Sequence, residues 1–448
     1  MRIAAFVLLL ACFATCKRSE PTLVSDAGAG AGADASDGPG ARPCGTPGGP
    51  CCPGKAGTAP SCGGVPLLCA GATCTCIVQA TAVYDFTPVV RHLDGRVFVA
   101  RDRAHFTEIV GPAGNLSAID LAVSGSTAYG TAVGCAVDVS GGVDCFPLAD
   151  NVLDSTPIGN GAGPGATTTS AAAVVLESGE PIANVRQISG TMNGGATAFC
   201  ATTLEGGILC WGNGSPGFLG RGDKADAPVA RPVLEAPGVE FTQAAEVQLG
   251  YDSACARKVD GTVWCWGNDA SGQTGNAAPD PDDPTIPFPA GPLPLPARAT
   301  RLATSPGNTH CAILEDGHIW CWGANAYAQA GAPPSPSAPP TMVLTAEGRS
   351  PLVHVVEAAP DRGMQAMCAN TSAGVLFCWG HPFAPAGTLD ATSPYPISIP
   401  IRGALRAPVL GRLSSYGGRD GTLVYIAPDG NMTFGAGSLP FASQPPCD

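Results

Sequence analysis

Seven short signatures recur along this chain of 448 residues, each turning on a glycine: Gly95, Gly141, Gly206, Gly261, Gly317, Gly374 and Gly430. They stand 46, 65, 55, 56, 57 and 56 residues apart. Five lie inside a frame of two cysteines ten positions apart: Cys135/Cys145, Cys200/Cys210, Cys255/Cys265, Cys311/Cys321 and Cys368/Cys378. In the first and last copies, Val89/Val99 and Val424/Phe434 take the cysteine positions. In Cys311-Ala-Ile-Leu-Glu-Asp-Gly-His-Ile-Trp-Cys321, two apolar, β-prone runs flank Glu315-Asp316-Gly317. A three-residue hairpin loop is a type I turn plus one left-handed residue. Glycine suits that position because it has no Cβ to clash at positive φ. Such a loop sets Leu314 opposite His318, Ile313 opposite Ile319 and Cys311 opposite Cys321.

Opposed residues of an antiparallel pair have Cα atoms about 4.5–5.5 Å apart, and a disulfide spans about 4.4–6.8 Å. The spacing therefore predicts five cross-strand disulfides. The alternatives are reduced core cysteines or a metal site. A spacing of ten is not that of zinc ligands, and each pair stands alone in the sequence. Each bond closes a short loop, worth roughly 2–3 kcal/mol in chain entropy. Oxidised cysteines imply an extracytoplasmic compartment.

A period near 55 with strand-like units points to an all-β propeller. The second cysteine is followed by Trp-Gly in Cys210-Trp-Gly-Asn, Cys265-Trp-Gly-Asn, Cys321-Trp-Gly-Ala and Cys378-Trp-Gly-His. Further on come Gly217-Phe-Leu-Gly-Arg-Gly-Asp223, Ser271-Gly-Gln-Thr-Gly275 and Ala328-Gln-Ala-Gly331. Hairpin, Trp-Gly and Gly-Gln-Leu-Gly-type turn together resemble the regulator-of-chromosome-condensation repeat family, over residues 80–448. The resemblance implies a seven-bladed β-propeller of four-stranded blades, a monomer that binds a protein partner at a propeller face. The first two repeats and the last depart from the pattern by lacking Trp-Gly. The interval of 65 holds an extra loop near Gly159–Ser170, and no clear Gly-Gln-Leu-Gly turn follows His381-Pro382.

All six tryptophans lie in these hairpins: Trp211, Trp264, Trp266, Trp320, Trp322 and Trp379. A large side chain recurring at one repeat position is expected to pack between blades rather than form a ligand cage. Arg221-Gly-Asp223 reads as its repeat's turn rather than an adhesion motif, since it sits where Gln273-Thr-Gly and Gln329-Ala-Gly sit in the sister repeats.

Residues 1–16 read as a lipoprotein-type signal peptide. Arg2 precedes the apolar run Ile3–Ala11, which is too short to span a bilayer. Leu9-Leu-Ala-Cys12 and Phe13-Ala-Thr-Cys16 each resemble a bacterial lipoprotein cleavage box. Lipidation at Cys16 with removal of Cys12 leaves an even eighteen of the 20 cysteines, and so favours Cys16. Plain secretion is the alternative. Residues 17–43, rich in Ala, Gly, Asp, Ser and Pro, cannot bury enough apolar surface to offset ordering and are expected to be a disordered tether.

Residues 44–78 form a cysteine-rich disulfide module containing Cys44, Cys51, Cys52, Cys62, Cys69, Cys74 and Cys76. Too few apolar residues are present for a core, so covalent staples must substitute. Seven is odd, which leaves Cys447 as the expected partner of one of them, Cys76 by placement.

Lys plus Arg number 23 against 36 Asp plus Glu, a net charge of −13. Phosphate backbones need basic surfaces, so no nucleic-acid partner is expected. Asp280-Pro-Asp-Asp283 lacks the alternating ligands of a calcium loop, and no metal or cofactor is expected. The six histidines, 92, 105, 310, 318, 354 and 381, are scattered, and no phosphate loop, Gly-x-Ser-x-Gly or His-Glu-x-x-His occurs. These readings combine into a non-enzymatic, extracytoplasmic scaffold that binds protein and reaches the membrane only by a lipid anchor. Two alternatives stand beside it: an extracellular enzyme inhibitor, whose ring face would carry exposed aromatics, and a polysaccharide-acting propeller enzyme, whose pocket would gather carboxylates and aromatics.

Overall fold

The computed structural model describes most residues between 88 and 381, together with strands at Leu68–Ala70, Thr73–Thr75, Ile77–Ala82, Ser393–Ile399, Val424–Ile426 and Met432–Phe434. Residues 1–16 and 17–43, read above as signal peptide and tether, and Cys12, Cys16, Cys44, Cys51, Cys52, Cys62, Cys76 and Cys447 lie outside the described residues. The backbone pairs Cys69 with Cys74 in the short hairpin Leu68–Ala70/Thr73–Thr75.

Every helix or strand assigned among the described residues is a strand. Six sheets are four-stranded antiparallel meanders in chain order. Blade 1 comprises Ile77–Ala82, Pro88–His92, Val97–Ala100 and Phe106–Glu108; blade 2, Ala118–Ser124, Val133–Asp138, Val143–Pro147 and Ala172–Ala173. Blade 3 comprises Val185–Gly190, Ala198–Thr203, Ile208–Gly212 and Ala227–Pro232; blade 4, Ala244–Leu249, Ser253–Lys258, Val263–Asn268 and Thr285–Ala290. Blade 5 comprises Ala299–Thr304, Thr309–Leu314, Ile319–Asn325 and Ser335–Met342; blade 6, Val355–Pro360, Ala366–Thr371, Leu376–Gly380 and Ser393–Ile399. The seventh repeat contributes the hairpin Val424–Ile426/Met432–Phe434, with Val424 opposite Phe434. The rest of that repeat lies outside the described residues. First strands of successive blades are neighbours, which makes them the inner strands of a propeller.

The turn chemistry fixes the register. In blade 5 the Leu314 N–H donates to the His318 carbonyl, and the Gly317 N–H to the Leu314 carbonyl. Hydrogen-bonded and non-hydrogen-bonded pairs alternate up an antiparallel ladder. Starting from the bonded pair Leu314/His318, Cys311/Cys321 falls on a non-bonded pair, where strands approach most closely. All five cysteine pairs are joined, with Cα–Cα distances of 4.0 or 4.1 Å, slightly shorter than the expected range. The turn glycines Gly95, Gly141, Gly206, Gly261 and Gly317 have φ between +78° and +90°; Gly374 and Gly430 lie outside the described residues.

The same glycines also touch the next blade. The carbonyls of Gly95, Gly141, Gly206, Gly261 and Gly317 accept the N–H of Ala118, Val185, Ala244, Ala299 and Val355, each the first residue of the following inner strand. The turn's first residue bonds instead to the link entering its own blade: Val139 donates to Ser117, Leu204 to Asn184, Val259 to Gln243, Glu315 to Arg298. A Cβ on Gly141 would meet the Asn184 nitrogen at 2.8 Å, and one on Gly261 the Arg298 Cβ at 2.5 Å. Glycine is therefore demanded twice, once by the turn and once by the neighbouring backbone.

Candidate functional site

Four of the disulfides share an apolar cluster with the next blade's tryptophan. Cys135 and Cys145 pack with Trp211, Cys200 and Cys210 with Trp266, Cys255 and Cys265 with Trp322, Cys311 and Cys321 with Trp379. These four indoles are fully buried. Three of them donate Nε1–H into the preceding blade: Trp266 to the Phe218 carbonyl at 2.7 Å, Trp322 to Gln273 at 2.9 Å and Trp379 to Gln329 at 2.9 Å. Those carbonyls belong to the Gly-Gln-Leu-Gly-type turns. The Trp-Gly and the Gly-Gln-Leu-Gly segments are thus the two halves of one joint between blades.

The irregular repeats keep the joint with other residues. Val89 and Val99 replace the disulfide, and Phe146 of blade 2 replaces the indole in the same cluster. Thr156-Pro-Ile-Gly159 takes the place of the Gly-Gln-Leu-Gly turn, with Gly159 at φ +91° and Ile158 buried. Trp211 sits over that turn and its Nε1 is buried without a hydrogen-bond partner. Trp264 and Trp320, at the position beside the turn, are only half-buried. Lys258 Nζ lies 4.7 Å from both the Phe241 and Trp264 rings and pairs with Glu235, which accounts for that exposure as a cation–π contact.

The inner strands carry a polar belt that periodicity did not disclose. The register shifts at the start of each inner strand, over Ile77/Gln79, Val185/Gln187, Ala244/Glu246, Ala299/Arg301 and Val355/Glu357, with a matching shift beside Asp120. The third residue of each strand is polar: Gln79, Asp120, Gln187, Glu246, Arg301, Glu357. Asp120 Oδ2 accepts the Ile188 N–H at 3.0 Å, Gln187 Oε1 the Val247 N–H at 3.0 Å, and Glu246 Oε2 the Leu302 N–H at 3.2 Å. Each side chain therefore binds the next inner strand. Arginine has no acceptor, so Arg301 cannot continue the series and is exposed.

The histidines divide by burial. Burial pushes His310 down to about 3; its Nε2 shares a 2.8 Å hydrogen bond with Ser253 Oγ across the blade 4/blade 5 joint, and its ring stacks on Trp322. His92 falls to about 4, through burial first, with Asp94 opposing and Arg96 adding. His318 is bound to Asp316 at 2.8 Å. Burial raises Asp252, against hydrogen bonds from Asn268, Gln273 and Asn308. Arg221 and Asp223 bond to one another at 2.8 Å, closing the Arg-Gly-Asp segment on itself. Asp283 pairs with Lys224 at 2.8 Å. Among the described residues, no group of three or more His, Cys, Asp or Glu is placed to hold a metal ion, and no helix is long and apolar enough to cross a membrane.

An antiparallel meander sends alternate connections to opposite edges. One propeller face, the turn face, carries the uniform glycine turns and the links into the next blade. The other, the loop face, carries the first-to-second connections and the third-to-fourth connections 148–171, 213–226, 269–284, 326–334 and 381–392, which differ in length. Ten large hydrophobics are exposed among the described residues, and eight of them belong to the turn face. Val139, Leu204 and Val259 begin glycine turns, Val375 follows one, Val110, Val239 and Val353 lie on inter-blade links, and Ile119 is the second residue of an inner strand. The loop face carries only Tyr129 and Tyr327 of this set.

Residues 245–273 match the regulator of chromosome condensation (RCC1) repeat. The chain is 26% identical to human E3 ubiquitin-protein ligase HERC2 over 235 residues, 52% of this chain and 5% of that protein. It is 30% identical to the ultraviolet-B receptor UVR8 of Arabidopsis thaliana over 181 residues, 40% of this chain and 38% of that one. The chain thus spans well under two thirds of these relatives. Among solved structures, Prp20p of Saccharomyces cerevisiae, described with its binding properties to Gsp1p and histones, superposes with a TM-score of 0.53 at 15% identity, covering 71% of this chain and 76% of that one.

Proposed function

We propose that this chain, whose repeats and fold are similar to those of regulator-of-chromosome-condensation propellers, is a non-enzymatic scaffold that binds another protein through a propeller face. The observation that carries this is the joint between blades: disulfide, buried aromatic, turn carbonyl and glycine carbonyl together hold neighbouring blades in one register. Such a frame presents preorganised backbone, and preorganisation lowers the ordering cost of binding. Prp20p, a protein with binding properties to Gsp1p and histones, has the same fold.

The compartment is extracytoplasmic in this reading, because five buried disulfides are the chemistry of an oxidising environment. A signal segment at 1–16, a lipid on Cys16 or else Cys12, a tether at 17–43 and a cysteine-rich module at 44–78 hold a monomeric propeller of seven blades at the envelope. Palmitate labelling tests the anchor: label lost in Cys16→Ala and kept in Cys12→Ala places the lipid, and an unlabelled wild type removes the claim. The full chain, used as cross-linking bait in envelope extracts, tests the scaffold. Capture of a defined partner at saturable stoichiometry supports it; capture of none overturns it.

The burial of His92 and His310 supports a non-enzymatic reading, since both rings are shut away from solvent. An extracellular enzyme inhibitor is the second reading, favoured by the exposed Tyr129 and Tyr327 on the loop face.

A further inference from the structure

We propose that the turn face is the docking surface, and that it takes a cationic, apolar protein segment, with the hairpin tips Val139, Leu204 and Val259 as its apolar anchors. This rests on the scaffold reading above and deepens it by choosing a face and a partner chemistry. The tips come from three consecutive blades and are 72%, 66% and 64% exposed. Each sits at the first position of its turn, where its own N–H is bonded to the link that enters its own blade, while the glycine carbonyl two residues on holds the following blade. The side chains therefore stand out on backbone that is fixed from both sides. Nothing local requires an apolar residue there: the same position is Glu315 in blade 5 and Ser372 in blade 6. Exposed apolar side chains gathered on one face mark an interaction surface.

Charge selects the occupant. The face exposes Glu180, Glu205, Glu240, Asp260, Glu315 and Asp316, against Arg298 and, on the adjoining inner strand, Arg301. The Thr262 backbone N–H, then its hydroxyl, hold the Asp260 carboxyl below its ordinary value, so it is charged at neutral pH. A lipid surface with anionic headgroups is repelled by this pattern. A second copy of this face would oppose carboxylate to carboxylate. A segment with leucine-like side chains flanked by Lys or Arg satisfies both components, as an amphipathic helix laid in an apolar seam does.

The probe is a synthetic amphipathic helix with a leucine face and lysine flanks, titrated against the full chain. Saturable binding is expected, weakened by salt because the flanking charges are exposed. The triple variant Val139→Ser, Leu204→Ser, Val259→Ser keeps every charge and every turn glycine; it is expected to lose affinity about tenfold or more. Glu205→Gln, Glu240→Gln and Glu315→Gln together are expected to flatten the salt dependence. A Tyr129→Ser, Tyr327→Ser variant reports on the loop face and is expected to bind as wild type. An unchanged thermal transition in each variant shows that the fold is intact. Absence of binding, binding unaffected by the tip variant, loss in the tyrosine variant, or tip-dependent dimerisation in sedimentation each overturns the proposal. The scaffold reading fails separately: a bait partner that survives the tip variant but not the tyrosine variant leaves the scaffold standing and removes this face. Peptide binding at the tips without any envelope partner does the reverse.

Discussion

At Gly141 two requirements meet, a φ of +83° and the Asn184 backbone 2.8 Å from where a Cβ would stand. Gly141→Ala must meet left-handed strain of about 1–2 kcal/mol and displace the next blade's link as well. Urea denaturation is expected to show a loss of roughly 2–3 kcal/mol in total. A loss under 1 kcal/mol refutes the second requirement. His310 carries a pH dependence. Its folded value of about 3 lies below the unfolded 6.5, so the unfolded chain binds more protons between those values. Stability contributed by the neutral ring is then complete above the unfolded value and is lost as pH falls from 6.5 toward 3, on the order of 2 kcal/mol by pH 5. Ser253→Ala/His310→Phe keeps the stack on Trp322 without the titrating ring. The difference between its pH–stability curve and that of wild type is expected to rise as pH falls through this window; parallel curves contradict the assignment.

At the scale of the hairpin and its joint, the two tryptophans differ in a measurable way. Trp322 donates to Gln273 and Trp211 donates to nothing. Trp322→Phe loses a hydrogen bond and strands a carbonyl, whereas Trp211→Phe removes an unpaired donor. The first is expected to cost about 1 kcal/mol more than the second in chemical denaturation, and equal costs would contradict the joint. Cys255→Val/Cys265→Val imitates Val89/Val99 and is expected to keep the fold while losing roughly 2–3 kcal/mol. The sequence disclosed the turn, register and cysteine pairing because a three-residue loop ending in glycine obeys local rules, seen in Cys311-to-Cys321. It hid the joint because Trp266 meets Phe218 across 48 residues, and a repeated Trp does not say which neighbour it touches. Phe146 and Thr156-Pro-Ile-Gly159 escaped for a related reason: the joint requires an aromatic ring and a tight turn, not particular letters. The inner belt was hidden by the register shift beside Gln187 and Glu246, which breaks the alternation that marks a buried strand.

For the whole molecule, nearest-neighbour joints predict unfolding in a coupled array rather than blade by blade. The candidate docking face was not legible because Val139, Leu204 and Val259 read as ordinary hairpin residues until their exposure placed them together. The joints also bear on redox chemistry. All ten cysteines of the five pairs are fully buried, so reductant in native buffer is expected to leave them intact, and reductant with denaturant to open them. Mass-spectrometric thiol mapping that found Cys255 or Cys311 alkylated under native conditions would show that blades separate freely. The order of layers imposes an order in time. Four of the five disulfides lie beneath the aromatic that follows them in the chain, so these bonds are expected to form before the next blade docks over them. Oxidation is therefore expected to precede docking at each of these four joints, each bond sealed by the repeat that comes after it.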